Sequence, residues 1–330
     1  MEVIEFSRTR RLRSTPVLRR LVRETRVSAA ALVYPLFIRD GQGVREELTS
    51  MPGQIRYSPD TICEGIEAAL SDGVSSFLLF GIPDFKDARG SGAYAPDGVV
   101  QQALINIKRA FASDAYLITD VCLCEYTDHG HCGLIVDDAV DNDSTLPLLA
   151  QTALSQLAAG SDMVAPSGMM DGTIAALRSA LDSQGFVSAP ILSYAAKYAS
   201  AFYGPFRDAA GSTPQFGDRR AYQMDYHNSR EALHRIATEI EQEADAIIVK
   251  PAQPCLDIIR QARDSFDVPV AAYQVSGEYA MIKAAGAADM IDEHLVMLES
   301  AVGIFRAGAD ILISYFGPQL ALAIHRGEIG

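Results

Sequence analysis

The chain has 330 residues, a formal charge of −14, and 48% hydrophobic against 21% charged residues. That length buries a large core and fits one big α/β barrel or two ordinary domains, whereas the acidic surplus excludes a nucleic-acid binder, which needs a basic face. Five unevenly spaced cysteines and no secretory signal predict a reducing, cytoplasmic setting with thiols as metal ligands or core residues, and no apolar run nears the ~20 residues that cross a bilayer.

Residues 1–30 carry eight arginines against three glutamates. They read as an arm lying on an acidic surface, its own or a neighbour's; a disordered basic tail is the other reading. Val17, Leu18, Leu21 and Val22 offer apolar side chains for docking between subunits. An Arg-rich start also suits an organellar transit peptide, against which Glu2, Glu5 and Glu24 count.

From residue 31 a short apolar run, a loop and a helix-patterned segment recur. Strands are expected at 32–38, 74–80, 115–120, 162–165, 189–193, 245–250, 269–274 and 310–315. Helices are expected at 58–70, 146–159, 172–183, 229–243, 256–265 and 295–307, the first opening on Ser58 and Pro59. Gly73, Gly160 and Gly308 are expected as left-handed helix caps, and Asp162, Asp245 and Asp310 open the strands that follow. Eight such units predict a (β/α)8 barrel, the TIM-barrel architecture, over residues 31–330. Arg39-Asp-Gly-Gln-Gly43 is too poor a dinucleotide turn to support an open doubly wound sheet.

Chemistry in such a barrel sits where strands end and loops begin, and the unusual residues fall there: Cys122 and Cys124, Ser167, Lys197, Lys250, Ser276 and Tyr315. Lys250 ends the wholly apolar run Asp245-Ala-Ile-Ile-Val-Lys250, and Pro251 stops the strand. An ammonium held among apolar groups loses hydration, so its pKa falls and the neutral amine needed for Schiff-base chemistry accumulates. Lys197 follows a second apolar run, and the chain has only five lysines, at 86, 108, 197, 250 and 283. The competing reading is two lysines that snorkel from strand ends to solvent.

Between Asp120 and Gly133 lie three thiols and two imidazoles: Cys122, Cys124, His129, His131 and Cys132. One loop can close three sulfurs round a zinc ion, leaving a fourth position open for water or substrate; a closed structural site would recruit His129 or His131. A buried or redox-active cysteine cluster is the remaining reading. Cys63 and Cys255 read as core residues, and Asp137, Asp138, Asp141 and Asp143 as a solvated loop without the calcium-loop pattern. Residues 198–224 lack a helical period and read as a lid, with Arg207 and Arg219 gripping a substrate carboxylate, or else as a surface loop with ordinary ion pairs.

Four stretches then carry a resemblance: the Asp120–Gly133 loop; Ser193-Tyr-Ala-Ala-Lys-Tyr-Ala-Ser-Ala-Phe-Tyr-Gly-Pro-Phe-Arg207; Val249-Lys-Pro-Ala252; and Tyr273-Gln-Val-Ser-Gly-Glu-Tyr-Ala-Met-Ile282. Together they resemble the porphobilinogen synthase, or 5-aminolevulinate dehydratase, family, and the likeness runs from Arg10 to the end of the chain. The resemblance implies a TIM barrel whose N-terminal arm embraces a neighbour, a homo-octamer, and condensation of two 5-aminolevulinate molecules, with loss of two waters, to porphobilinogen on the way to haem. It implies that Lys250 first binds the substrate forming the propionate side and that Lys197 is the second Schiff-base lysine. Cys122, Cys124 and Cys132 match zinc ligands, Arg207, Arg219 and Gln223 match groups on the second substrate's carboxylate, and Ser276 and Tyr315 match those on the first. Asp120 is a candidate for proton transfer. Some bacterial members place a glutamate for an allosteric magnesium where this chain reads His234-Arg235, and neither that arginine nor Glu231, one turn earlier, suits the ion. A class I aldolase, needing one lysine, leaves the cysteine loop unexplained.

Overall fold

The computed structural model describes residues 6–330. Its eight barrel strands are β1 (Leu32–Arg39), β2 (Ser76–Ile82), β3 (Tyr116–Val121), β4 (Met163–Pro166), β5 (Leu192–Lys197), β6 (Ala246–Lys250), β7 (Val270–Gln274) and β8 (Ile311–Ser314). They pair in parallel in the order β4-β3-β2-β1-β8-β7-β6-β5. A bridge between Val164 and Ile191, with the Val164 N–H on the Pro190 carbonyl at 3.2 Å, closes the ring. Burial on both faces explains the unbroken apolar runs: Ile247, Ile248 and Val249 on β6 are all fully buried.

The longer helices are α1 (Ile62–Asp72), α2 (Val99–Phe111), α3 (Asn142–Ala159), α4 (Thr173–Ser183), α5 (Arg230–Glu241), α6 (Leu256–Ser265), α7 (Ser276–Ala287), α8 (Glu293–Ala307) and α9 (Gly317–His325). Gly73, Gly160 and Gly308 end α1, α3 and α8 at φ of 100°, 112° and 126°, as expected. The expected aspartates do more than open strands. Asp162, Asp245 and Asp310 each donate a backbone N–H to the carbonyl of Leu117, Ile191 or Val270 and accept that residue's own N–H on a carboxylate oxygen at 2.7–3.0 Å. Each clasp satisfies backbone groups at the N-terminal rim, where a parallel ladder begins.

Several expectations are corrected. Helix α1 starts at Ile62, because Ser58 and Thr61 spend their hydroxyls on a turn around Val44 and Asp60. Asp141 caps α3 by accepting the Ser144 N–H at 2.9 Å, and 135–140 form a two-strand hairpin whose turn residues Asp137 and Asp138 have positive φ. The stretch after Lys197 is partly helical, with a 3-10 turn at Ala201–Tyr203 and a helix at Gly204–Ala209. Lys197 is the last residue of β5 rather than one past it, and Tyr315 follows β8. Cys255 is buried and Cys63 half-buried.

The first five residues of the expected 1–30 arm lie outside the described residues. From Phe6 onward the segment holds a 3-10 turn at Arg11–Arg13 and a helix at Pro16–Leu21 capped by Thr15. Phe6, Leu12, Val17, Leu21 and Val22 are exposed. Among the described residues no helix is long and apolar enough to cross a membrane.

Candidate active site

The two lysines end adjacent strands and stand directly opposite each other in the ladder, Lys250 against Lys197. A register shift between Ile247 and Val249 produces that pairing. Lys197 Nζ donates to the Ser167 carbonyl at 2.6 Å. Lys250 Nζ sits 4.2 Å from the centroid of the Tyr273 ring and 5.1–5.4 Å from those of Tyr194, Tyr203 and Phe206. Burial among these rings, and secondly the like charge of Lys197, lowers the Lys250 pKa from 10.5 to about 7. The amine is therefore largely neutral in mildly alkaline solution, while Asp120 and Glu125 oppose the shift.

Asp120, the next-to-last residue of β3, lies among the same groups. Burial first, then the Glu125 charge, raises its pKa to about 7, against the pull of both lysines. The Ser167 hydroxyl donates to Asp120 Oδ2 at 2.9 Å, while Oδ1 is buried without a partner.

The sulfurs of Cys122, Cys124 and Cys132 lie within 4.8 Å of one another, all buried. Hydrogen bonds from the other two thiols, assisted by the Arg219 and Lys197 charges, drive Cys132 well below the usual thiol range, while Cys122 and Cys124 are driven up. Three soft donors converging beside buried cations fit a divalent ion that favours thiolates. Glu125, which sequence reading passed over, accepts from Cys124 Sγ at 3.2 Å, and a second close group comprises Asp120, Cys122 and Glu125. Its position one residue after Cys124 was the signal available. Neither His129 nor His131 belongs to these groups.

The segment from Tyr198 to Met224 closes over this mouth. Ser276 accepts the Phe206 N–H at 3.0 Å and donates to the Phe202 carbonyl at 3.3 Å. Lys86, also without a role in the sequence reading, donates to Gly211 at 2.7 Å. The cavity between Lys197, Lys250, Cys124, Phe206 and Arg219 is about 20 Å³, roughly the room one water occupies. Tyr203 and Phe206 are among the side chains that enclose it.

Arg219 also lines a second cavity of about 670 Å³, together with Arg207, Gln223, Ser200 and Tyr226. Arg219 is buried; desolvation opposes its charge, but the neighbouring thiols hold it firmly protonated. The Nε of Arg207, the Nε of Arg219 and both side-chain polar atoms of Gln223 are buried with no partner. Three of these, the Nε of Arg207, the Nε of Arg219 and the Nε2 of Gln223, are donors suited to a planar acceptor such as a carboxylate, while Gln223 Oε1 is an acceptor. Tyr315 is buried on the Tyr273 hydroxyl at 3.0 Å, and stacks with Phe37 at the back of the mouth. Lysines, thiols and unpartnered donors thus meet at the C-terminal end of the barrel, where Ser276 and Tyr315 also follow their strands.

Fold and site define a (β/α)8-barrel enzyme in which two buried lysine amines stand beside three convergent thiols. The sequence profile of the family described as Delta-aminolevulinic acid dehydratase matches residues 6–323, and the chain belongs to that family. It is 50% identical over 318 residues to the Delta-aminolevulinic acid dehydratase of Halalkalibacterium halodurans, covering 96% of this chain and 97% of the relative. It is 51% identical over 318 residues to that of Synechococcus elongatus, covering 95% and 97%. The crystal structure of the Toxoplasma gondii enzyme in complex with the reaction product porphobilinogen superposes with a TM-score of 0.93 at 40% identity, covering 96% of this chain and 91% of that one.

Proposed function

We propose that the chain is a porphobilinogen synthase that condenses two molecules of 5-aminolevulinate into porphobilinogen with loss of two waters. The observation that carries this reading is the pairing of Lys250 with Lys197 across one ladder, beside three convergent thiols. In it, neutral Lys250 attacks the keto carbon of the first substrate; its nitrogen forms the imine and the carbonyl oxygen leaves as water. Lys197 does the same for the second substrate. Formation of the ring's carbon–carbon and carbon–nitrogen bonds then returns both amines to the enzyme.

Ser276 and Tyr315 hold the first carboxylate, and Arg207, Arg219 and Gln223 the second. The orphaned donors of the last three support that division. Asp120, with a pKa of about 7, suits a group that accepts and returns a proton near neutrality. Cys122, Cys124 and Cys132 hold zinc; when bound it polarises a carbonyl or the water that departs. Closure of Tyr203 and Phe206 keeps solvent from the imines. Arg235 lies at the position discussed for an allosteric magnesium, and pairs with Asp171 at 2.7 Å and Glu239 at 2.8 Å, which supports an enzyme without that ion there.

Of the expected 1–30 arm, the described residues 6–30 dock on a second subunit within a cytoplasmic homo-octamer, supported by the exposed Val17, Leu21 and Val22. The chemistry is tested by borohydride reduction in the presence of 5-aminolevulinate, followed by peptide mass analysis. Adducts are expected on Lys250 and Lys197; labelling confined to other lysines, or none, refutes the reading.

A further inference from the structure

His131 immediately precedes the third cysteine of the thiol loop, yet both of its ring nitrogens are engaged by the lid. Nε2 lies 2.9 Å from the Phe216 carbonyl oxygen and Nδ1 3.1 Å from the Tyr222 hydroxyl. A carbonyl only accepts, so Nε2 carries the hydrogen, and Nδ1 accepts from the Tyr222 O–H. Neither nitrogen keeps a lone pair for a cation. This buried histidine therefore has another task, which the geometry around it defines. The Gln215 N–H donates to the His129 carbonyl at 3.0 Å, and Arg219 donates to the Gly130 carbonyl at 2.9 Å. Gly130, at φ +73°, packs so closely that a Cβ would fall 2.5 Å from the Thr213 oxygen. Residues 129–132 and 213–222 are thus ordered against each other, and Cys132 is the next residue along.

Resting on the reading of Cys122, Cys124 and Cys132 as an ion site beneath a lid, we propose that His131 is a positioning residue that latches the lid to the thiol loop, so that ion occupancy and lid closure form one coupled equilibrium. An ion that holds Cys132 holds His131, and a lid that holds His131 holds Cys132. Coupling of this kind is reciprocal: whatever factor the ion contributes to closure, closure contributes to ion retention.

The test uses the full-length enzyme stripped of metal and reloaded with cobalt(II), whose thiolate charge-transfer absorption reports the three-sulfur site. Two rates are measured in wild type and in Tyr222→Phe, which deletes one hydrogen bond and keeps the ring: cobalt release to a chelator, and proteolytic cleavage between residues 211 and 222. Cobalt is expected to slow cleavage in wild type. Tyr222→Phe is expected to speed both cleavage and cobalt release by about fivefold, the equivalent of one neutral hydrogen bond. His131→Ala is expected to speed both further while the absorption band survives. Faster cleavage with unchanged cobalt release overturns the latch. So does loss of the band in His131→Ala with wild-type behaviour in Tyr222→Phe, which makes the histidine a ligand. A wild type that shows no thiolate band overturns the ion-site reading and the latch with it; a normal band without coupling overturns the latch alone.

Discussion

Lys250 is expected to be a source of instability as well as reactivity, and Lys250→Met isolates that cost because it keeps the length of the side chain and removes the charge. The amine has a pKa of about 7 in the folded chain against 10.5 for an exposed lysine. A tenfold change in proton affinity is worth about 1.4 kcal/mol. At pH 8 the unfolded chain holds the proton and the folded chain has lost it, which costs about 3 kcal/mol; at pH 6 the folded chain must hold it too, and the penalty reaches about 5 kcal/mol. The sign follows from the depressed pKa: the unfolded state binds more protons between the two values, so stability rises with pH there, and the full penalty is present below about 7. Lys250→Met removes the penalty and relieves Lys197 of a like charge. Urea unfolding at pH 8 and pH 6 is therefore expected to show a variant more stable than wild type at both, by a margin that grows as pH falls. A variant no more stable at either pH, or a margin that shrinks on acidification, refutes the reasoning from desolvation.

Other perturbations separate the parts of the site. Cys124→Ala is expected to lower zinc content and activity together while leaving the barrel folded, as read by metal analysis and circular dichroism; a variant that loses its fold but keeps its specific activity per folded molecule would make the ion structural. Arg219→Lys, which gives up the planar fork, is expected to raise the KM for 5-aminolevulinate by about 10- to 100-fold, the worth of one charge-assisted hydrogen bond, and an unchanged KM removes Arg219 from the carboxylate site. Asp162→Ala is expected to cost about 1–3 kcal/mol in urea, because it leaves the Leu117 N–H without its acceptor and Lys108 without its partner at 2.6 Å. Activity per folded molecule should not change, since Asp162 lies at the opposite rim from the lysines.

The barrel was legible because parallel strands covered on both faces leave an unmistakable trace, and the Gly and Asp punctuation between units marks where each begins. Strand ends were less so: Ala189 and Pro190 continue the apolar run of β5 but precede its ladder, which starts at Leu192. Helices α2, α7 and α9 escaped notice, and α7 illustrates why: its small residues and the buried Ser276, Gly277 and Glu278 blur the polar face that a period of 3.6 relies on. Glu278 joins a local contact to a tertiary one: its carboxylate accepts the N–H of Val275, three residues back, and those of Ala252 and Gln253 from another loop, and burial raises it to about 7. Lys197 and Lys250 were visible as residue types at strand ends; that they face each other depends on a register shift no local pattern encodes. The short helix at Gly204–Ala209 lay hidden for a similar reason, since six residues are too few for periodicity to register.

The distribution of strain over the barrel explains why one end can bear such a site. At the N-terminal rim Asp162, Asp245 and Asp310 tie strand to strand through paired backbone bonds. At the C-terminal rim the chain accumulates unfavourable features: an amine pushed down to about 7, a carboxylate pushed up to about 7, and a buried glutamine with no partner. Each is destabilising until a substrate or ion meets it. Such groups are tolerated because the backbone ladder, which runs up to Lys197 and Lys250, and the clasps at the opposite rim hold the barrel without them, so the donors can wait unpaired without loosening it. The latch at His131 falls between these regimes: it belongs to the reactive rim, yet it makes every hydrogen bond its ring allows, as expected of a residue that fixes geometry rather than one that reacts.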